Sequence, residues 1–242
     1  MTTFQKKLLE VAQKNEATKN LINEHYAQKY ELLCSHMLEV NKSLNLTAIK
    51  DEDGVILKHI VDSVACVPYI DRGASVCDIG CGGGFPTLVI GILRGDVSIL
   101  GVDSVTKKVN YVRDTAQLLG LNSITVSNSR AEELGQSVKW RESFDVATAR
   151  AVGRLNLICE LCLPLVKVGG KFLAMKSLST KEELDEAQRA IELLGGKVEE
   201  IKEYTLTDGN ETIERTIIVI RKVKNTPAAY PRNNSQISKK PL

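Results

Sequence analysis

The 242-residue sequence has no apolar run near the roughly 18 residues that a membrane-spanning helix needs. Its beginning, MTTFQKKLLEVAQKNE, holds no apolar signal core and no cleavage pattern. Both absences lead to the expectation of a soluble, cytoplasmic protein with no membrane partner. Aromatic residues make up only 5%, with one tryptophan, so recognition of nucleic acid by base stacking has little support. The six cysteines (Cys34, Cys66, Cys77, Cys81, Cys159 and Cys162) are too few for a disulfide-rich scaffold. They read as small apolar residues of a reducing compartment. There is no internal repeat and no low-complexity block before residue 221.

What is present is ordinary for a globular chain: 43% hydrophobic and 26% charged residues. That excludes a largely disordered polymer. The length fits one α/β domain with an extension, or two small domains. Net charge is only +2, but it is unevenly spread. Residues 221–242 carry six basic residues and no acid; the remainder carries 26 basic and 30 acidic residues. Such an asymmetry fits either a polyanionic partner for the tail or a solubilising tail.

Apolar spacing predicts amphipathic helices over residues 5–14 and 19–41, and a third from Asp51 through Ile70. From residue 74 short apolar runs alternate with helical ones. Strands are expected at 74–79, 97–103, 124–128, 144–150 and 171–176. Helices are expected at 86–95, with Pro86 in the first position, and at 105–119, 154–166 and 181–195. Runs at 197–206 and 215–223, separated by an Asp-Gly turn signal, close the series as a hairpin. The pattern predicts an α/β fold with a mainly parallel, doubly wound sheet. We expect a helical cap at 1–70, a catalytic domain at 71–223 and a basic tail at 224–242.

The informative segment is DIGCGGGFP (78–86), between a strand and a helix. Its glycines permit unusual dihedrals and close approach of a ligand. The next strand ends in Asp103, placed to accept hydrogen bonds from ribose hydroxyls. A dinucleotide site would show G-x-G-x-x-G. Here the last glycine would fall on Phe85 or Thr87, so that pattern fails. The acid Asp78 ahead of the loop suits a cationic ligand better than a pyrophosphate. D-x-G-x-G-x-G is instead the loop of methyltransferases that use S-adenosylmethionine. Ala131 and Glu132 follow the third strand, where an adenine would lie; a helix cap is the plainer reading of the pair. Arg150 ends the fourth strand, beside the expected reactive methyl; a salt-bridge partner is its plainer reading.

Several chemistries find no residues. The Asn/Asp-Pro-Pro-aromatic motif of exocyclic-amine methylation is replaced by Thr148-Ala149-Arg150-Ala151. No cysteine nucleophile follows the fourth strand, and Cys77 and Cys81 lack the third cysteine of a radical cluster. Cys159 and Cys162 sit in an apolar run without a second pair, so no metal is expected. The remaining acceptor class needs orientation more than deprotonation, as the N7 atom of guanine does. Basic residues gather at the expected carboxyl edge of the sheet: Lys107, Lys108, Arg113, Arg130, Arg150, Arg154 and Lys176. They read either as phosphate contacts or as a solvated rim.

Six motifs in order resemble one family: NLTAI (45–49), HIVDS (59–63), DIGCGGGFP (78–86), SRAE (129–132), TARA (148–151) and the ending YPR…KKPL (230–242). It is the bacterial small-subunit ribosomal RNA methyltransferase G family, also called glucose-inhibited division protein B. The resemblance implies a class I methyltransferase with a seven-stranded, Rossmann-like sheet and an N-terminal helical extension. It implies methyl transfer from S-adenosylmethionine to N7 of one guanine in the decoding-region loop of 16S ribosomal RNA. The partner would be that RNA or the small subunit, and the enzyme a monomer. Carried onto this chain, cofactor binding falls to Gly80, Phe85, Ala131, Glu132 and Arg150; the reading of the loop and strand end adds Gly82, Gly84 and Asp103, and Arg150 is also the catalytic candidate. Asn45, His59, Asp62 and Ser63 match family positions at the active-site mouth; Asn45, His59 and Asp62, together with the basic residues Lys107, Lys108, Arg113, Arg130, Lys176, Arg232, Lys239 and Lys240, are the candidate RNA contacts. One departure stands out: the family's loop continues Phe-Pro-Gly, and here Thr87 replaces the glycine. A small-molecule methyltransferase, a nicotinamide enzyme and a non-catalytic ribosome-assembly factor remain as competing readings.

Overall fold

A computed structural model describes residues 1–177 and 180–242. Seven strands form one sheet in the order β3-β2-β1-β4-β5-β7-β6. They are β1 (Ser75–Ile79), β2 (Ser98–Asp103), β3 (Ile124–Asn128), β4 (Phe144–Arg150), β5 (Val166–Lys176), β6 (Gly196–Thr207) and β7 (Thr212–Lys222). The first five pair in parallel, and β7 inserts antiparallel between β5 and β6. Chain order reverses between β1 and β4, which opens a crevice at their carboxyl ends.

Helices cover both faces, which is why the central strands are apolar on both sides. Helices α5 (Thr87–Leu93) and α6 (Thr106–Leu118) lie on one face. Helix α2 (Glu24–Leu44) packs over them, and α1 (Thr3–Lys14) packs against α2 and residues 56–61; Leu8, Tyr30, Leu33 and Met37 are all fully buried there. Helix α1 begins in a capping box: Thr2 Oγ1 accepts from Gln5 N at 3.2 Å, and Gln5 Oε1 accepts from Thr2 N at 3.4 Å. The other face carries α7 (Ala131–Gln136), α8 (Leu155–Cys162) and α9 (Thr180–Leu193).

Several boundaries differ from the sequence expectation. Helix α2 starts at Glu24 because Asn23 caps it, accepting from Tyr26 N. It ends at Asn45, whose φ of 51° reverses the chain. Pro86 is the cap rather than the first residue of α5. The third expected helix is not uniform. Asp51 caps a short α3 (Glu52–Val55), Ile56–Val61 forms π turns, and α4 (Asp62–Val64) completes the run. Residues 163–165 form a 3-10 turn, so β5 starts earlier than expected, at Val166. No described helix is long and apolar enough to cross a membrane.

Residues after β7 do not hang free. They fold back over α7 and α8 and end in α10 (Asn234–Lys239), where Ile237 is buried.

Candidate active site

The loop from Asp78 to Pro86 closes over the carboxyl ends of β1 and β2. Gly80 N and Cys81 N donate to the Val102 carbonyl at 2.8 and 3.0 Å. Gly80 has φ +71°, and a Cβ there would meet Val152 Cγ2 at 2.6 Å. Gly84 has φ +88° and is pressed on Leu88, with 2.3 Å for an added Cβ. Both positions therefore exclude a side chain. Asp103 ties the loop down: its Oδ2 accepts from Gly82 N at 3.0 Å and its Oδ1 from Val105 N at 2.8 Å. Each oxygen retains a lone pair facing the crevice.

Asp78 does not line this crevice. It is 1% exposed, and its oxygens accept from Thr87 Oγ1 at 2.5 Å and Thr148 Oγ1 at 2.8 Å. Burial pushes its pKa up to about 6, against the pull of the two hydroxyls. Asp78 thus supports the loop from below. Thr87 supplies one of the two supports.

Three cavities of about 350, 360 and 350 Å3 run along the crevice. The first lies between Asp103, the turn at Ser129–Glu132 and α10. The second holds Gly80, Gly82, Phe85, Asp103, Lys108 and Arg150. The two share Gly80, Asp103 and Val152. The third is lined by Lys58, His59, Asp62, Arg150, Lys176 and Arg215, and shares His59, Arg150 and Ala151 with the second. Ala151, at the junction, has φ +57°, a strained conformation for alanine.

Arg150 is the hub between the second and third cavities. Its Nη1 donates to Asp62 Oδ2 at 3.0 Å and to the Lys58 carbonyl at 2.9 Å; its Nε donates to the Phe85 carbonyl at 3.3 Å. Asp62, 4% exposed, also accepts from Tyr204 OH at 3.2 Å and pairs with Arg215 Nε at 3.3 Å. His59 stacks on Phe85 with centroids 4.6 Å apart. Its Nε2 is 2.8 Å from Thr47 Oγ1, and its Nδ1 is 3.3 Å from Arg150 Nη2. Burial first, and then the Arg150 charge, pull its pKa down to about 3, so the imidazole is neutral. The π turns present His59 and Asp62 to the same arginine, and such turns are frequent at functional sites.

The far end has a different character. Glu132, 8% exposed, keeps its Oε1 buried with no hydrogen-bond partner among the described residues. A buried acceptor without a donor costs stability unless a ligand supplies one. The exocyclic amine of an adenine is such a donor, and Asp103 beside it matches a ribose. The glycine cradle, Asp103 and the orphan oxygen of Glu132 therefore fit S-adenosylmethionine.

The remaining expected residues scatter. Gly84 lines none of these cavities and serves packing. Asn45 is exposed at the end of α2. Lys107 and Arg113 lie exposed on α6, and Arg113 contacts Asp114 and Asn110. Arg130 caps α7 beside the first cavity. Two expected RNA contacts are engaged inside the protein: Lys176 pairs with Glu183 at 2.7 Å, and Arg232 pairs with Glu160 at 2.6 Å. Lys239 and Lys240 stay exposed. Sequence reasoning missed Lys58, Tyr204 and Arg215. Lys58 adjoined a recognised motif, but Tyr204 and Arg215 come from the closing hairpin, where no motif marks them.

Comparison with known proteins agrees with this geometry. The family model described as rRNA small subunit methyltransferase G matches residues 26–213. The chain is 43% identical over 225 residues to a Lactobacillus johnsonii protein named ribosomal RNA small subunit methyltransferase G, covering 91% of this chain and 93% of that one. A Staphylococcus carnosus protein of the same name is 40% identical, with 97% of each chain covered. Among solved structures, a precorrin-6y C5,15-methyltransferase from Geobacter metallireducens aligns with a TM-score of 0.51, at 18% identity, over 74% of this chain and 92% of that one. A SAM-dependent O-methyltransferase from Thermotoga maritima aligns with a TM-score of 0.51, at 14% identity, over 78% and 72%. With its strand order, its glycine loop and a match running through nearly the whole catalytic sheet, the chain belongs to the rRNA small subunit methyltransferase G family.

Proposed function

We propose that this protein transfers a methyl group from S-adenosylmethionine to N7 of a guanine in the decoding-region loop of small-subunit ribosomal RNA, as a cytoplasmic monomer. The observation that carries the choice of atom is the state of the groups around the third cavity. A neutral His59 is engaged with Thr47 and Arg150, and both Asp62 oxygens accept bonds already. Both groups are committed to partners of the fold, Asp62 to two arginines, and guanine N7 has no proton to lose. When bound, S-adenosylmethionine supplies an electrophilic methyl group. Transfer to the N7 lone pair would leave no proton for His59 or Asp62 to take up.

The residues of this chain bind and orient. Gly80 and Gly82 bring backbone within reach of the cofactor, Asp103 takes the ribose, and Glu132 the adenine amine. Phe85 and His59 form a stacked wall at the junction of the second and third cavities. Lys58, Arg150, Lys176 and Arg215 line the third cavity and are each paired with a carboxylate, so they shape it, and the positive charge offered to the phosphates beside a target base is that of the rim. Holding the acceptor in line supplies the rate. Lys107, Lys108, Arg113 and Arg130 carry the charge of that rim.

The test is transfer of labelled methyl from S-adenosylmethionine to small subunits that lack the modification, followed by nuclease digestion. We expect 7-methylguanine at one site. Labelled small molecules with unlabelled RNA would overturn the RNA reading, and label at another base atom would overturn the choice of N7.

A further inference from the structure

The basic C-terminal segment has a role that its charge conceals. Two of its six cations, Lys222 and Arg232, turn inward. Lys222 is 1% exposed, donating to the carbonyls of Leu163 and Val166 and pairing with Glu142. Arg232 donates through its backbone N and Nε to Glu160 Oε1 at 2.9 and 2.8 Å, and through Nη2 to Glu160 Oε2 at 2.6 Å. Glu160 is fully buried, so this fork fixes the segment's register on α8. Arg141 reaches across and donates to the carbonyls of Thr226, Pro227 and Tyr230. Gln136 donates to the Pro231 carbonyl at 2.7 Å. Ile237 then anchors α10 at 1% exposure.

This docking gives the first cavity its outer wall. Asn234 and Ser238, one helical turn apart on α10, line it. They face the same space as Asp103, Ala131 and Glu132, whose buried Oε1 has no partner among the described residues. We propose that residues 225–242 form a built-in wall of the adenosine site, and that Asn234 and Ser238 are cofactor-pocket residues. The proposal rests on the reading of the first cavity as the place of the cofactor's adenosine. An adenine there is held between the turn after β3, which carries the acceptor Glu132, and α10, which offers an amide and a hydroxyl. The segment thereby couples to the cofactor: a ligand that binds only the docked form stabilises docking by mass action.

Calorimetric titration of the full-length protein with S-adenosylmethionine tests this. Ser238→Trp fills the cavity from an exposed position, so the fold is kept while the dissociation constant rises by about tenfold or more. Asn234→Ala raises it by about two- to fivefold. Amide exchange over residues 233–240 slows when the cofactor is added to the wild type. Asp103→Ala is the control for the cofactor site itself. Weakened binding in Asp103→Ala, with wild-type affinity in both α10 variants and unchanged exchange over 233–240, overturns the wall and leaves the cofactor reading standing. No saturable binding by the wild-type protein overturns both. Ser238→Trp that loses affinity for ribosomal RNA and keeps its affinity for the cofactor also overturns the wall, and makes the segment an RNA contact.

Discussion

At the end of the cleft proposed for the acceptor, Arg150, Asp62, Arg215, Tyr204 and His59 satisfy one another; at the end proposed for adenosine, Glu132 holds a buried oxygen with no partner among the described residues. The first arrangement is complete without ligand. Its job is to hold the π turns, α4, β4, β6 and β7 in fixed relation around a cavity. The second is incomplete without ligand, and its deficiency specifies a donor. A paired network thus marks where shape must be kept, and an orphan marks where a molecule must come. The same contrast separates the cations. Those on α6 face solvent, while Lys176, Lys222 and Arg232 are consumed by Glu183, Glu142 and Glu160.

The largest expected effect is at the network. Arg150→Ala leaves Asp62 buried with only Arg215 and Tyr204, and we expect a loss of about 3 kcal/mol in urea unfolding. Asp62→Asn in the same chain restores part of it, since the uncompensated charge is gone. Wild-type unfolding of Arg150→Ala would make the arginine purely a ligand group and end the contrast. The adenosine end behaves in reverse. Glu132→Ala removes an unsatisfied acceptor, so stability holds or rises, while cofactor affinity falls by about 1–2 kcal/mol, roughly tenfold. Equal losses in both readouts would show that Glu132 belongs to the fold.

A smaller effect appears in pH dependence. His59, with its pKa near 3, refuses a proton that the unfolded chain accepts, so its contribution to stability is lost as pH falls from about 6.5 towards 3. Asp78, near 6, does the opposite: the native state keeps a proton that the unfolded chain gives up, so stability falls as pH rises from about 4 to 6. The slopes oppose between pH 4 and 6. Asp78→Asn therefore leaves stability rising more steeply with pH, and His59→Asn leaves it falling, by up to about 1.4 kcal/mol per pH unit. Identical unfolding profiles in all three proteins would refute both assignments. The smallest effect belongs to Lys239→Gln with Lys240→Gln: unfolding within about 0.5 kcal/mol of the wild type, unchanged cofactor affinity, and an RNA salt slope lower by about 0.7–0.9 per lysine. An unchanged slope would remove both lysines from the RNA surface.

Much of the site was legible from local pattern. DIGCGGGFP between a strand and a helix announced the cradle because only glycine tolerates the φ values at Gly80 and Gly84. Asp103 was legible because it ends the next strand, and Arg150 because it ends the fourth. The π turns were not legible, since the apolar period of residues 51–70 suits a helix of either width. Nor were the partners. Asp62 and Tyr204 lie 142 positions apart, and Glu160 and Arg232 lie 72 apart.

The sequence by itself determined the alternation of strands and helices, the glycine loop and the ends of the strands that face the cleft. Each is fixed by backbone sterics and by the period of apolar residues, which act over a few positions. Tertiary structure alone decided which charges neutralise one another, which carboxylate is left wanting a donor, and that a basic tail became a wall. Those outcomes depend on which distant elements the sheet order brings together, and on the loss of water that makes a buried charge find a partner.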